Sequence, residues 1–316
     1  MDLDRYETST ERRRLTRGIQ RRGSQTGFAT WGAWLFGCPF VAAGTWIILI
    51  GTRTVKVNPQ TVHAPYWVLT VAGAVFALGG LMIWGMAVRQ VAANRRVREA
   101  ARRYRDEPAM ADYQWDPRGF RAHRWQRALG TLAAAAFGTL FLSMFNWWAF
   151  FTESPFMVKA ITALFDFFLL LLWWGAAAAV GRALKFGGSR IEFAHFPYRL
   201  NEPIVIQWQP PTGINRVRKG TFTLRCVEEW FERTGGCYDR SSRLVDEEVW
   251  SGKWYWDEER SWELGKWMEW SFQLPPDALS THLSADKSIF WEFEVKLDLP
   301  GLDFEEVYLV PIYGGP

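Results

Sequence analysis

Cysteine and histidine are scarce in this sequence, at three and four residues in 316. Cys38, Cys226 and Cys237 form no regular spacing, and an odd count argues against a disulfide scaffold and for a reducing compartment. No pair has zinc-ligand spacing. His63, His123, His195 and His282 are scattered along the chain. There is no HExxH, no phosphate-binding Walker loop, no GxSxG and no kinase signature set. Acid pairs such as Glu258-Glu259 read as a solvated face. Cys226 reads as a core residue of a strand. The expectation is therefore a protein that is not an enzyme and holds no cofactor and no metal.

Charge is missing from long stretches of the first half. Gly27 to Gly51 and Tyr66 to Val88 contain no charged side chain. Two further apolar stretches run from about residue 128 to 151 and from about 156 to 181. Each reaches the ~20 residues needed to cross ~30 Å of hydrocarbon. The sequence predicts four transmembrane helices, at about 27–51, 66–88, 128–151 and 156–181. The last two are joined by Thr152-Glu153-Ser154-Pro155 and form a helical hairpin. Residues 1–26 are polar and charged, without an apolar core and cleavage site, and read as a retained basic tail.

Basic residues are distributed unevenly around these spans. Residues 1–26 carry seven Arg and residues 89–127 carry eleven. The loop at 52–65 has only Arg53 and Lys56, and 152–155 has no Lys or Arg. Arg182, Lys185 and Arg190 follow the fourth span. The positive-inside rule then predicts a multi-pass protein of the cell inner (plasma) membrane with both termini cytoplasmic. Over the whole chain the net charge is +4, but residues 1–186 carry +12 and residues 187–316 carry −8. That split fits a basic half beside anionic headgroups and an acidic, solvated globule.

Tryptophan is abundant, at 20 residues. Trp31, Trp67, Trp147, Trp148, Trp173 and Trp174 fall near span ends, as in an interfacial aromatic belt. The pairs 147–148 and 173–174 are also candidates for a pigment or lipid pocket. Glycines at 73, 79, 80, 85, 130 and 138 allow close helix contact, but no span has a GxxxG pair. Asp166 lies near mid-depth of the fourth span. A carboxylate there costs ~2.5–3.5 kcal/mol on insertion scales and needs a partner or a polar cavity. The plain reading is a hydrogen bond to Ser143 or Asn146 of the hairpin partner, or to another subunit. The sharper reading is an ion or proton site. The second span continues as a basic helix over about residues 88–104. Its Arg95, Arg96, Arg98, Arg102, Arg103 and Arg105 suit anionic lipid headgroups or a partner surface rather than nucleic acid.

After Gly187-Gly188 the period changes to two. Ile289, Trp291, Phe293, Val295, Leu297 and Leu299 alternate with polar residues, the pattern of a half-buried antiparallel strand. Met268, Trp270, Phe272 and Leu274 repeat it, as do Phe222, Leu224, Cys226 and Trp230, with Glu228 breaking the phase. Further strands are expected near 190–196, 203–208, 244–256 and 304–312, with a hairpin turn at Asp257–Arg260. About seven strands in 130 residues predict an immunoglobulin-like antiparallel β-sandwich over 187–316. The acid-rich stretch 228–267 contains Trp250, Trp254, Trp256 and Trp262, read equally as core or as partner-binding aromatics.

The run FQLPPDALSTHLSADKSIFWEFEVKLDLPGLDFEEVYLVPI resembles the second half of an arrestin-like sandwich. FPYRLNEPIVIQW resembles the entry strand pair of such domains, with Asn201 where Gly is usual. The layout as a whole is similar to bacterial multispanning membrane proteins, of a class with no assigned function, in which helices precede such a domain. Arrestins have two lobes and a phosphate-sensing polar core, whereas this chain has room for one lobe and no counterpart of that core. The resemblance implies a protein-interaction module. The expected role is a membrane-anchored scaffold subunit of a larger assembly, with protein subunits and anionic lipids as partners and no nucleic acid. The alternatives are a transporter or channel component using Asp166, and an adaptor that senses anionic lipid.

Overall fold

A computed structural model describes residues 5–15, 30–58, 64–103, 107–214, 216–234, 241–261, 265–285 and 287–314. The chain forms two compact units. One holds Gly27–Arg95 and Arg124–Ala183; the other holds Met1–Thr26, Arg96–His123 and Leu184–Pro316. Among the described residues the helices are α1 (Thr30–Gly51), α2 (Tyr66–Arg103), the short α3 (Pro108–Asp112), α4 (Arg124–Phe151) and α5 (Phe156–Phe186). All but α3 are long and apolar enough to cross a membrane. The second runs on to Arg103, as the basic helical pattern predicts.

In the helical unit, α1 meets α2 through glycines seven residues apart. Gly37, Gly44 and Gly51 recur on α1, and Gly73 and Gly80 recur on α2. A Cβ on Gly73 would lie 2.5 Å from the Gly44 carbonyl oxygen, and one on Gly44 would overlap the Ala77 backbone. The backbones therefore touch, which only glycine permits. The sequence pattern sought, a spacing of four, missed this because the contact repeats every two turns. The buried positions of α4 and α5 also recur every seven residues. Ala128, Ala135, Leu142 and Ala149 are the buried apolar positions of α4, spaced by seven. Thr162, Ala176 and Ala183 are buried on α5, in the same sevenfold phase. Elsewhere the large side chains point outward. Among the described residues, every exposed large apolar side chain except Phe231 and Leu302 lies between Leu35 and Leu184.

The second unit is built mainly from antiparallel sheets, with one short parallel pair between Tyr198–Arg199 and Ile312–Tyr313. Its strands are β1 (Arg5–Ser9), β2 (Arg13–Leu15), β3 (Gly119–Arg121), β4 (Arg190–Phe193), β5 (Tyr198–Arg199), β6 (Ile204–Gln209), β7 (Arg216–Val217), β8 (Lys219–Thr234), β9 (Ser241–Trp256), β10 (Arg260–Ser261), β11 (Met268–Phe272), β12 (Ser288–Asp298), β13 (Phe304–Val310) and β14 (Ile312–Tyr313). A six-stranded sheet has the order β1-β9-β8-β12-β13, with β2 also paired to β9. A four-stranded sheet has the order β11-β6-β4-β3. Residues of both sheets share one apolar core: Trp208 and Trp270 from the smaller, Phe222, Phe293 and Tyr308 from the larger. Phe222 stacks on Trp270 with ring centroids 3.8 Å apart.

Four features depart from the sequence reading. Residues 1–26 are not only a tail, because β1 and β2 pair antiparallel with β9. The segment 89–127 is not only a basic loop. Its β3 pairs with β4, and Ala109 and Trp115 pack in a second apolar cluster with Val227, Phe290 and Leu309. The polar face of β12 is solvated only from Lys296 onward: Glu292 is fully buried and Glu294 nearly so. Finally, Asp257–Arg260 does not close a hairpin, since Arg260 pairs with Val217 of β7. The phase break expected at Glu228 is a bulge. Cys226 faces Trp250 while Val227 faces Glu248, so one residue of β9 is skipped and the faces exchange.

Candidate functional site

The polar candidates within the apolar helices separate into one pair and one bystander. Asn146 Nδ2 donates to Asp166 Oδ1 at 2.8 Å. Ser143 instead donates to the Leu140 carbonyl of its own helix, at 2.7 Å. A second polar rung, Trp173 Nε1 to Thr139 Oγ1 at 2.9 Å, also joins α4 to α5. Asn146 lies seven residues beyond Thr139, and Trp173 seven beyond Asp166. Both rungs thus share the sevenfold spacing of the buried alanines of α4 and join α4 to α5 in one register. Near the far ends of α2 and α4, Ala64, Val68, Met144, Trp147, Trp148 and Thr152 line an open groove of about 430 Å³. Trp67 meets Trp147 edge to face at 6.2 Å.

Arg95, Arg96, Arg102 and Arg103 are exposed along the end of α2. The Arg98 side chain, Arg105, Trp262 and the Trp31 side chain lie outside the described residues, as does Cys237. Two of the partner-binding aromatics are corrected. Trp250 and Trp256 are buried in the shared core, because the period of β9 turns both toward the smaller sheet. Trp254 is half-buried, and its Nε1 donates to the Ser271 carbonyl at 3.1 Å.

The outer face of the large sheet holds a buried ionic network around Arg225. Its guanidinium reaches Glu294 through two bonds, of 2.7 and 3.2 Å, and also bonds Glu292. Glu248 stands 3.9 Å away. Such a fork-on-carboxylate pair satisfies the acids that alternation would send to solvent. Beside it, Asp112 accepts the backbone N–H of Leu283 at 2.8 Å and of Ser284 at 2.7 Å. Tyr313 donates its hydroxyl to Asp112 and accepts from Trp115 Nε1, both at 3.0 Å. Burial, and then the Asp112 charge, push the Tyr313 phenol up, so it stays a neutral donor. No signal local to residues 108–123 announces this contact, since its partners lie about 170 and 200 residues later. Among the described residues, no group of three or more His, Cys, Asp or Glu side chains could hold a metal ion.

No family model and no curated protein matches this chain. Among the solved structures that resemble it is Spo0M, a sporulation control protein from Bacillus subtilis. The identity is 12% and the TM-score 0.24, over 40% of this chain and 49% of that one. The chain thus spans about half the length of that protein.

The remaining accessible feature is the edge of β9. Its partner strands come from residues 5–15, of which only Tyr6 and Leu15 are even half-buried. Tyr6 lies 4.5 Å from Trp254 and 6.4 Å from Phe272, ring to ring. It crosses Gly252, where a Cβ would come within 2.7 Å of the Tyr6 hydroxyl. Arg12 meets Glu247 at 3.2 Å and Glu228 at 3.4 Å, and Arg14 meets Glu232 at 3.5 Å. Backbone pairing, one aromatic anchor and a basic-on-acidic charge match therefore hold this segment.

Proposed function

We propose that this chain is a multi-pass plasma-membrane protein that presents an arrestin-like β-sandwich to the cytoplasm. In this reading the sandwich is a protein-interaction module, the helices anchor and orient it, and the chain is a non-catalytic subunit of a larger membrane assembly. The observation that carries the proposal is the make-up of the strand-bearing unit. It gathers Met1–Thr26, Arg96–His123 and Leu184–Pro316, three stretches separated by two pairs of apolar helices. A compact unit occupies one side of a bilayer. Each pair of helices must then leave that side and return to it, which makes four crossings. The same three stretches carry most of the arginine, and this supports the cytoplasmic side.

The outward large apolar side chains of the four helices support lipid contact. Arg95, Arg96, Arg102 and Arg103 suit the anionic headgroups beside the end of α2. The bond from Asn146 to Asp166 favours a structural role for the carboxyl group over an ion path, which would need several polar groups in line. Intact-complex mass measurement after mild-detergent extraction tests the proposal. A defined hetero-assembly is expected, and a clean monomer without partner subunits would contradict it.

A further inference from the structure

The edge of β9 carries an inference that rests on this interaction-module reading and makes it specific. A free strand edge offers a row of N–H and C=O groups that pairs with any extended chain. Here the row is filled from the other end of the sequence. Arg5–Ser9 pairs with residues 251–255, and Arg13–Leu15 with 246–248. Besides this pairing, the Tyr6 ring, Leu15 at the second apolar cluster, a 2.6 Å bond from the Tyr255 hydroxyl to Glu7 and the arginine ion pairs hold the filling segment, and nine of its eleven residues are exposed. The edge is nevertheless selective. Inward, Gly252, Trp254 and Phe272 make a seat for one aromatic ring. Outward, Glu228, Glu232 and Glu247 make an acidic rim six to eight residues further along the peptide, at Arg12 and Arg14.

We propose that the outer edge of β9 is a peptide-binding edge that residues 5–15 hold shut in cis. Its external ligand is an extended basic segment of a partner protein, with an aromatic residue for the Tyr6 seat and arginines for the acidic rim. The backbone pairing supplies sequence-independent affinity, and the seat and rim select. The cis segment competes as a tethered ligand, at an effective concentration on the order of 1 mM. An added peptide of the same sequence therefore meets an occupied edge in the intact chain and an open one once the tether is cut.

The test uses the full chain, folded in detergent, with a protease site placed within residues 16–29. After cleavage and dilution, a fluorescent synthetic peptide of residues 4–16 is added and its anisotropy followed. Three results are expected. The native segment leaves the cut protein, the labelled peptide binds it saturably, and the intact chain binds at least ~10-fold more weakly. A peptide carrying R12E, R13E and R14E, or Y6A, should also lose at least ~10-fold, and the arginine-dependent part should weaken with salt. Retention of the native segment through dilution without exchange would overturn the proposal, as would equal binding by cut and intact chains. Either failure is separable from that of the interaction-module reading, because intact-complex mass measurement on uncut protein reports partners bound elsewhere.

Discussion

Asn146 and Asp166 face each other across α4 and α5, the amide nitrogen 2.8 Å from the carboxyl oxygen. Magnitudes decide which member matters more for stability. An interhelical hydrogen bond in a membrane is worth ~0.6 kcal/mol on average, whereas an apolar residue replacing a mid-span acid recovers ~2.5–3.5 kcal/mol of insertion cost. Asn146→Leu should therefore destabilise the helical unit, because it strands the carboxyl group. Asp166→Leu should be neutral or stabilising. Thermal melts of both variants in detergent check the order. The reverse order, or a folded Asp166→Asn protein that loses an ion-dependent flux, would favour the transport reading.

Gly73 and Gly44 make the second testable contact. Gly73→Val drives a branched side chain into the α1 backbone and should cost about 1–3 kcal/mol, as other overpacked sites do. Gly130→Ala is the control. A Cβ there meets nothing within 4 Å, so the change should be neutral or gain up to ~1 kcal/mol of helix propensity. Detergent melting of the two variants side by side reads both effects.

Asp112 is a buried carboxylate that accepts two backbone N–H groups and the Tyr313 hydroxyl. Asp112→Ala leaves buried donors unpaired, at a cost of about 1–3 kcal/mol. Near-ultraviolet circular dichroism should show Trp115 losing its fixed environment. Tyr313→Phe should cost less, since the two backbone donors keep their acceptor and only the Trp115 indole N–H loses one.

Stability should fall at alkaline pH. Burial pushes the Cys226 thiol up to about 12 from its ordinary 9.0, with the Glu228 charge adding to it. Burial likewise pushes the Tyr198 phenol up to about 12 from 10.0. Both groups hold their protons more tightly in the folded protein. Their contribution is therefore complete below the unfolded values and is lost as pH rises from about 9 through about 12, by up to ~1.4 kcal/mol per pH unit for each group. Tryptophan fluorescence during urea unfolding at pH 8, 10 and 11 should show this slope, and Cys226→Val should reduce it.

Local patterns carried much of this architecture. Uncharged length revealed the four long helices, and the period of two revealed β11, β12 and most of β8. What escaped were pairings between distant segments. Nothing in Arg5–Ser9 reads as a strand alone, because its stability comes from β9, some 240 residues away. Ala109 and Trp115 look like parts of a basic loop until Val227 and Phe290 are beside them. Glu292 and Glu294 alternate as surface residues should, and are buried only because Arg225 lies opposite. For the candidate site, Asn146 was legible only as one of two residues of the hairpin, with Ser143, that Asp166 could reach. The peptide edge was not, since its seat draws on Tyr6, Gly252, Trp254 and Phe272 together.

The central claim is that residues 5–15, 107–123 and 184–314 share one unit on one side of a bilayer. Single cysteines at Thr10, Asp116 and Asp277, and at Asn58 and Glu153, in a protein otherwise free of cysteine, test it with a membrane-impermeant maleimide. In sealed vesicles of one orientation, the first three positions should label together from the cytoplasmic face, and the last two only from the opposite face. Labelling of any of the first three together with Asn58 or Glu153 would contradict the account.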